Sequence, residues 1–186
     1  THFGQRLEGF HVPRIFESMQ DSAEIASRKA SVAAFNAANK WKKRGLCQLP
    51  TKFGINFTAK FLNQGGALVH VYTDGTVLIS HGGTEMGQGL YTKMVQVAAQ
   101  CFGISHTLVT CLETATTSVA NSSPTAASAS TDLYGMAVLN ACEQIKERLV
   151  ELRASMRDGA SDADEDALWK KTVNAAYFSR INLSAQ

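Results

Sequence analysis

The spacing of apolar residues predicts helices over the first forty residues of the chain. Pro13 suits the first turn of a helix, and the apolar positions after it recur at near-helical spacing. A break at Ser22 or Ser27 would divide the segment into two helices, the second over residues 30–41. The basic run 40–44, with a glycine after it, is typical of a helix C-terminus, because cations are favourable beside the terminal carbonyl groups.

Between residues 46 and 80 the apolar positions recur with a period of two, which is typical of β-strands. The strand candidates are 47–49, 54–58, 67–73 and 76–80. Asp74 and Gly75 separate the last two candidates, and this pair favours a two-residue type I′ turn because both positions tolerate positive φ. The pattern therefore predicts an antiparallel hairpin here.

The second half of the chain alternates loops of small residues with helices. The predicted elements are a glycine-rich loop at 81–89, a helix that Gly103 ends, a short strand at 107–113, a small-residue run at 114–130, a long helix, an acidic loop at 158–166 and a final helix at 167–178. The stripe of the long helix expected to face the core comprises Leu133, Ala137, Ala141, Ile145, Leu149 and Leu152. Helices that flank a small antiparallel or mixed sheet define an α+β fold.

Composition and charge narrow the class of protein. The chain has 186 residues, of which 45% are hydrophobic and 18% charged, and its net charge is only +2. That charge is too small for a domain that binds nucleic acid through electrostatics. Because no apolar run approaches the ~18 residues of a membrane span, we expect neither a nucleic-acid nor a membrane partner.

The cysteines and the chain ends give two further expectations. The four cysteines lack a C-x-x-C pair, which favours buried, reduced thiols over a zinc site, an iron–sulfur site or a disulfide framework. The chain begins at Thr1 rather than Met, shows no signal peptide and stops without a polar tail. We therefore expect a segment of a longer, cytoplasmic protein, with a peroxisomal location left open.

The glycine-rich loop is the first candidate for chemistry. Its glycines allow close approach of a ligand to the backbone, and the N–H groups at the start of the following helix attract anions such as phosphate. The loop matches neither of the common nucleotide-binding glycine patterns. On the residues alone, binding of an anion or cofactor and a merely tight turn are equally supported.

The second candidate is the run of small and hydroxyl residues at 122–131. Ser128 and Ser130 could bond phosphate oxygens at the start of the long helix, although composition alone favours helix capping. His81 is expected to be structural, and neither Glu85 nor Glu113 has a carboxylate partner for acid–base work. These residues describe a surface that could cradle a cofactor but that carries no evident catalytic base.

Four segments taken together resemble a known family. Residues 81–93 resemble the pterin-contacting segment of the molybdenum hydroxylases, and residues 41–47, 52–58 and 121–130 agree with that family in order and spacing. The resemblance covers essentially the whole chain and is strongest to the purine-oxidising members. It implies a helical segment over 1–45 and a portion of the molybdenum-cofactor-binding domain over 46–186.

The resemblance assigns roles to individual residues. The implied contacts to the molybdopterin are the Gln88 side chain, the Met86 and Gly87 backbone, the small residues Ala126 and Ala127, and Ser128 and Ser130 at the pterin phosphate. The backbone of Ala127 is expected beside the molybdenum centre. Phe57 is expected to pack on the bound purine and Thr58 to hydrogen-bond to it, which is how a planar heterocycle is oriented.

The implied reaction is the hydroxylation of hypoxanthine to xanthine and of xanthine to urate. Electrons would leave through two [2Fe–2S] clusters and FAD to NAD or oxygen, in other domains of a homodimeric enzyme. Because the catalytic base and these domains are absent from the sequence, we expect the segment to form one wall of the site and to be inactive alone. A segment of an aldehyde oxidase and a non-catalytic cofactor-binding or assembly module are the alternatives, and Phe57-Thr58 favours the purine enzyme.

Overall fold

The computed structural model describes Gly4, residues 6–157 and residues 164–186. Contacts divide the chain into two compact units, residues 1–53 and 54–186. Residues 158–163, which form most of the acidic loop expected from the sequence, lie outside the described residues. No helix of the described ranges combines the length and the apolarity that crossing a membrane requires.

The first unit contains two helices, α1 (Val12–Ser22) and α2 (Ile25–Ala38). Pro13 lies in the first turn of α1, and the chain breaks after Ser22, as the sequence predicts. The expectation that α2 spans 30–41 is wrong, because it begins earlier and Asn39 is extended, with φ −120° and ψ 118°.

The basic run 40–44 folds back along α2 instead of ending it. The Asn36 side chain accepts a hydrogen bond from Arg44 N at 2.8 Å, and its amide donates to the Arg44 carbonyl at 3.0 Å. The Arg44 guanidinium lies 3.9 Å from the centre of the Phe35 ring. The cations of this run therefore pack on the side of the helix rather than beside its terminal carbonyl groups.

The second unit is built on a four-stranded mixed sheet of order β3-β2-β1-β4. The strands are β1 (Ala67–Val71), β2 (Val77–His81), β3 (Val109–Cys111) and β4 (Ser184–Ala185). β1 is antiparallel to β2 and β4, while β3 is parallel to β2. The small mixed sheet and the α+β class are thus confirmed, whereas 47–49 and 54–58 do not form strands.

The connection between β1 and β2 differs from the expected two-residue turn. It runs from Tyr72 to Thr76, with hydrogen bonds from Tyr72 N to Thr76 O and from Gly75 N to Tyr72 O. Gly75 has φ +89°, while Asp74 is not in the left-handed region. The Asp74 carboxylate instead accepts from Thr76 N at 2.9 Å, so the type I′ prediction is wrong.

Three helices pack with the sheet. The helices α3 (Leu90–Phe102) and α4 (Ser130–Arg157) contact its strands, and α5 (Glu165–Phe178) packs against α4. Gly103 ends α3 in the left-handed conformation, as predicted, and Asp164 caps α5 by accepting from Asp166 N. The core-facing stripe of α4 includes Ala141, Ile145 and Leu149 as expected. Near the start of α4, however, Tyr134 is the deeply buried residue rather than Leu133.

The burial of the four cysteine thiols depends on where they lie relative to these helices. Cys101 and Cys142 are buried between α3 and α4, and all four cysteines are free. Burial raises the pKa of the half-buried Cys111 to about 11. Cys47 is exposed, so the expectation of buried thiols fails for this residue.

Trp169 of α5 connects the helical layer to the turn between β1 and β2. The side chain is buried, its ring centre lies 4.8 Å from that of Phe102, and its indole N–H donates to the Gly75 carbonyl at 2.8 Å. The bond satisfies a buried acceptor that has no strand partner. Trp169 therefore fixes α5 against the end of the sheet.

We expect Trp169→Phe to lower the free energy of unfolding by about 1–3 kcal/mol, because it leaves the Gly75 carbonyl unpaired while keeping an aromatic ring in the core. Denaturant unfolding followed by far-ultraviolet circular dichroism measures the change. Tyr177→Phe, on the exposed side of the same helix, is the control. Equal stabilities of the two variants would show that the indole bond contributes nothing.

Candidate functional site

The three candidate segments meet at the start of α4, although they are far apart in the sequence. Asn56 N donates to the Ala127 carbonyl at 3.1 Å, which connects the Phe57-Thr58 segment to the small-residue loop. Thr84 N donates to Thr125 Oγ1 at 2.8 Å, which connects the glycine-rich loop to the same small-residue loop. The small-residue loop is therefore bonded to both of the other segments.

The segment around Phe57 is shaped by Asn63. Phe57 N donates to Asn63 Oδ1 at 3.0 Å, and Asn63 Nδ2 donates to the Phe57 carbonyl at 2.9 Å. Asn56 itself has φ +81°, a conformation that asparagine tolerates better than most residues. Because these backbone groups bond to a loop and to a side chain, the segment does not become the strand that its period-two pattern suggests. Phe57 is half-buried, and Thr58 is exposed.

Close packing around Tyr134 brings the glycine-rich loop onto α4. A Cβ on Gly83 would lie 2.7 Å from Tyr134 Cδ2, and a Cβ on Gly82 would collide with Ser122 Oγ. The Tyr134 hydroxyl donates to the Ser123 carbonyl at 3.1 Å. One buried ring thus contacts both loops, and only glycine fits where the backbone passes it.

Glu85 occupies the N-terminus of α3. Its Oε1 accepts from Gly87 N at 2.8 Å and from Gly89 N at 2.9 Å, and its Oε2 accepts from Tyr91 N at 3.1 Å. These bonds, the one from Tyr91 foremost, hold the pKa of the carboxyl below its ordinary value. The sequence supported a bound anion and a tight turn equally at this loop, and in the structure a side chain of the same loop accepts from these amides.

The exposed tip of the glycine-rich loop is formed by Met86, Gly87 and Gln88. Gln88 Oε1 accepts from Met86 N at 2.6 Å, and Gln88 Nε2 donates to the Thr84 carbonyl at 2.9 Å. The amide of Gln88 thus closes its own loop. Its remaining donor and acceptor capacity is available to a ligand.

The small-residue loop turns through two consecutive left-handed residues, Ala127 (φ +54°) and Ser128 (φ +52°). Ala126 and Ser128 are exposed, and Ala127 is half-buried. Within the described residues, neither the Ala127 and Ser128 N–H groups nor the Ser128 and Ser130 hydroxyls take part in a hydrogen bond. Helix capping by these hydroxyls is therefore not what the structure shows, and four donors remain at the start of α4.

His81 lies beneath the glycine-rich loop and has the environment of a structural residue. The side chain is 1% exposed, between the rings of Tyr91 and Tyr134, and its Nδ1 accepts from Gly83 N at 3.0 Å. Burial lowers the pKa of His81 to about 4, against the raising effect of the negative charge on Glu85. The imidazole is thus neutral at physiological pH and supports the loop rather than serving as a base.

Residues 18–186 match the molybdopterin cofactor-binding domain family. The chain belongs to this family. It is 53% identical over 185 residues to the xanthine dehydrogenase/oxidase of Mus musculus and 51% identical over 186 residues to the xanthine dehydrogenase of Emericella nidulans. Each alignment includes the whole chain but only 13% of the relative, so the chain spans about an eighth of the length of these proteins.

A solved structure shares the fold of about two thirds of the chain. The Cu,Mo-CO dehydrogenase in its carbon-monoxide-reduced state superposes with a TM-score of 0.53 at 25% identity, over 66% of this chain and 18% of that chain. The resemblance to the molybdenum hydroxylases found in the sequence is thereby confirmed, and so is the assignment to a molybdenum-cofactor-binding domain.

The exposed surface of the two loops fits the cofactor of that family. A phosphate group is bound by hydrogen-bond donors, and Ala127, Ser128 and Ser130 supply N–H and hydroxyl donors. Glu85, the acidic residue of the glycine-rich loop, is directed into its own backbone amides. The described residues contain no cluster of three or more His, Cys, Asp or Glu side chains that could hold a metal ion.

The sequence did not reveal the structural roles of three residues that order these loops. Tyr134, Asn63 and Glu85 each bond or pack across a loop, but none stands out by periodicity. For Glu85 a signal was present, because an acidic residue shortly before a helix start is a common cap. For Asn63, which lies six residues from its partner, no local pattern predicts the contact.

The environment of His81 predicts the acid stability of this region. The pKa of His81 is about 4 in the folded protein and 6.5 in the unfolded chain. Because the unfolded chain binds the proton first, the contribution of His81 to stability is complete above pH 6.5 and is lost progressively as the pH falls from 6.5 towards 4. The loss amounts to about 3 kcal/mol at most. We expect His81→Asn, which keeps an acceptor for Gly83 N, to flatten this part of the profile in denaturant unfolding. The exposed His106→Asn is the control, and an unchanged slope in His81→Asn would refute the assignment.

Proposed function

We propose that this chain forms one wall of the molybdopterin and substrate site of a molybdenum hydroxylase that oxidises purines, converting hypoxanthine to xanthine and xanthine to urate. The observation that carries the proposal is the bond from Asn56 N to the Ala127 carbonyl. It brings the aromatic and hydroxyl side chains of Phe57 and Thr58 next to the loop that best fits the cofactor. A module that bound the cofactor without a substrate would not need an aromatic and a hydroxyl residue, Phe57 and Thr58, beside the cofactor loop.

The cofactor-contacting residues are proposed on two loops. The tip of the glycine-rich loop would supply the Gln88 side chain and the backbone of Met86 and Gly87. The small-residue loop would supply Ala126, the backbone of Ala127 beside the molybdenum, and phosphate donors at Ser128 and Ser130. When bound, the cofactor supplies the oxidation–reduction chemistry. The residues of this chain bind and orient it, and the small side chains at 126 and 127 leave room for the metal centre.

The substrate-contacting residues are Phe57 and Thr58. The paired bonds to Asn63 fix the backbone of Phe57, and its half-buried ring would offer a face on which a flat heterocycle stacks. The exposed Thr58 hydroxyl adds one directional hydrogen bond. A flat face and one polar contact orient the purine before reaction.

The catalytic base is proposed to lie outside this chain. His81 is buried and neutral, and the carboxylate of Glu85 is committed to three backbone amides. The resemblance to xanthine dehydrogenases extends the proposal to a homodimeric, cytoplasmic enzyme with two [2Fe–2S] clusters and FAD in other domains, and with NAD or oxygen as the acceptor. The isolated chain is therefore expected not to oxidise xanthine.

The test uses the full-length protein that contains this chain. We expect it to contain molybdenum and pterin and to form urate from xanthine. Phe57→Ala should lower kcat/KM for xanthine by about tenfold or more, because it removes a stacking surface of about 1–1.5 kcal/mol together with its orienting effect. Phe61→Ala is the matched control, since Phe61 is a nearby phenylalanine that is 72% exposed.

Three results would contradict the proposal. The proposal that this chain contacts molybdopterin is wrong if the full-length protein contains neither molybdenum nor pterin. Equal kcat/KM for xanthine in Phe57→Ala and Phe61→Ala removes the role of Phe57. Oxidation of aromatic aldehydes with no activity on xanthine or hypoxanthine would assign the chain to an aldehyde oxidase instead.

A further inference from the structure

The glycine-rich loop is held in shape by an internal carboxylate. Glu85 accepts three backbone N–H groups, from Gly87, Gly89 and Tyr91, within seven residues of chain. A loop with glycines at 87 and 89, both at positive φ, has little conformational preference of its own. The three bonds therefore supply the order that the glycines do not.

The order extends to the exposed tip. Met86 lies between Glu85 and the first amide that it binds, that of Gly87, so the backbone of both residues follows the carboxylate. Gln88 then closes the outer side of the loop through Met86 N and the Thr84 carbonyl. Thr84 N is bonded in turn to Thr125 of the small-residue loop. A change at Glu85 is thus expected to move the tip but not the junction at Thr125.

Among the described residues, the charge of Glu85 is compensated by backbone amides and not by an ion pair. In the described parts of the chain, the ion pairs are Arg153–Glu165 and Arg157–Glu165, and neither involves Glu85. A carboxylate at a helix N-terminus is stabilised by the N–H groups and by the helix dipole. The same amides, without Glu85, would form an anion site close to the site proposed for the pterin phosphate.

We propose that Glu85 is a positioning residue that holds Met86–Gln88 in the conformation that binds the cofactor and that keeps phosphate away from the N-terminus of α3. The cofactor part of this inference rests on the proposed function, while the loop part does not. The oxygens of Glu85 accept from the amides at the N-terminus of α3, so these amides do not compete for the phosphate. The phosphate would therefore bind the donors at the start of α4.

The test compares Glu85→Ala, Glu85→Gln and the control Glu147→Ala in the full-length protein. Glu147 is an exposed acid of α4, far along the helix from the site. Hydrogen exchange by mass spectrometry reports residues 86–91, and pterin analysis reports cofactor content. Glu85→Ala should exchange at least about tenfold faster in this segment alone, because three amides lose their acceptor. Glu85→Gln keeps the oxygen for Gly87 and Gly89 and should recover most of the protection and of the pterin.

Inorganic phosphate separates a local role from general destabilisation. At ionic strength matched with chloride, phosphate should slow exchange of residues 86–91 in Glu85→Ala and leave the wild type unchanged, because only the variant presents free amides to an anion. Unchanged exchange in Glu85→Ala, or a loss of protection throughout the protein that neither phosphate nor Glu85→Gln recovers, would overturn the inference. So would full pterin content in Glu85→Ala beside a pterin-loaded wild type. A wild type without pterin contradicts the proposed function instead, and the exchange results then still decide the role of Glu85.

Discussion

The arrangement of the site depends on one buried aromatic ring. Tyr134, near the start of α4, packs so closely against the backbone after β2 that a Cβ on Gly83 would lie 2.7 Å from it. Its hydroxyl bonds the Ser123 carbonyl, so the ring fixes the glycine-rich loop and the small-residue loop against the same helix. Packing this close restricts how the two loops lie against the helix. The bonds at Thr125 and Ala127 then complete the surface.

Many polar groups of these loops form hydrogen bonds with side chains of the same loop. Glu85 takes the amides of the α3 N-terminus, Gln88 closes the loop tip, and Asn63 brackets Phe57. Among the residues proposed to contact the cofactor, unbonded donors remain at Ala127, Ser128 and Ser130 and on the Gln88 amide. A loop that satisfies its own polar groups is pre-organised, so little conformational entropy is lost when a ligand binds. The free donors and the ordered backbone are complementary parts of one binding surface.

Local patterns predicted the elements whose hydrogen bonds are local. Alternation located β1 and β2, and the helical period followed by Gly103 located α3 with its end. The pattern failed at 54–58, where the partners of the backbone are Ala127 and Asn63, which no period reveals. On α4 the helical pattern placed Leu133 in the core, whereas the neighbouring Tyr134 is the buried residue. Apolar periodicity does not reveal that Tyr134 packs against the glycines of the loop after β2. The roles at Gln88, Ala127 and Ser128 came from the family resemblance. The residue types alone support a tight turn equally well at the glycine-rich loop and favour helix capping at the small-residue loop.

The central claim is that residues 86–88 and 126–128 form one surface against the molybdenum cofactor. Its most direct test is an anomalous difference map at the molybdenum absorption edge, recorded from crystals of the full-length protein with its native cofactor. The account predicts a peak in contact with Ala127 that appears above the edge and is lost below it, which distinguishes molybdenum from iron, with pterin density reaching Gln88 and the phosphate at Ser128. A molybdenum peak that touches neither loop would contradict it.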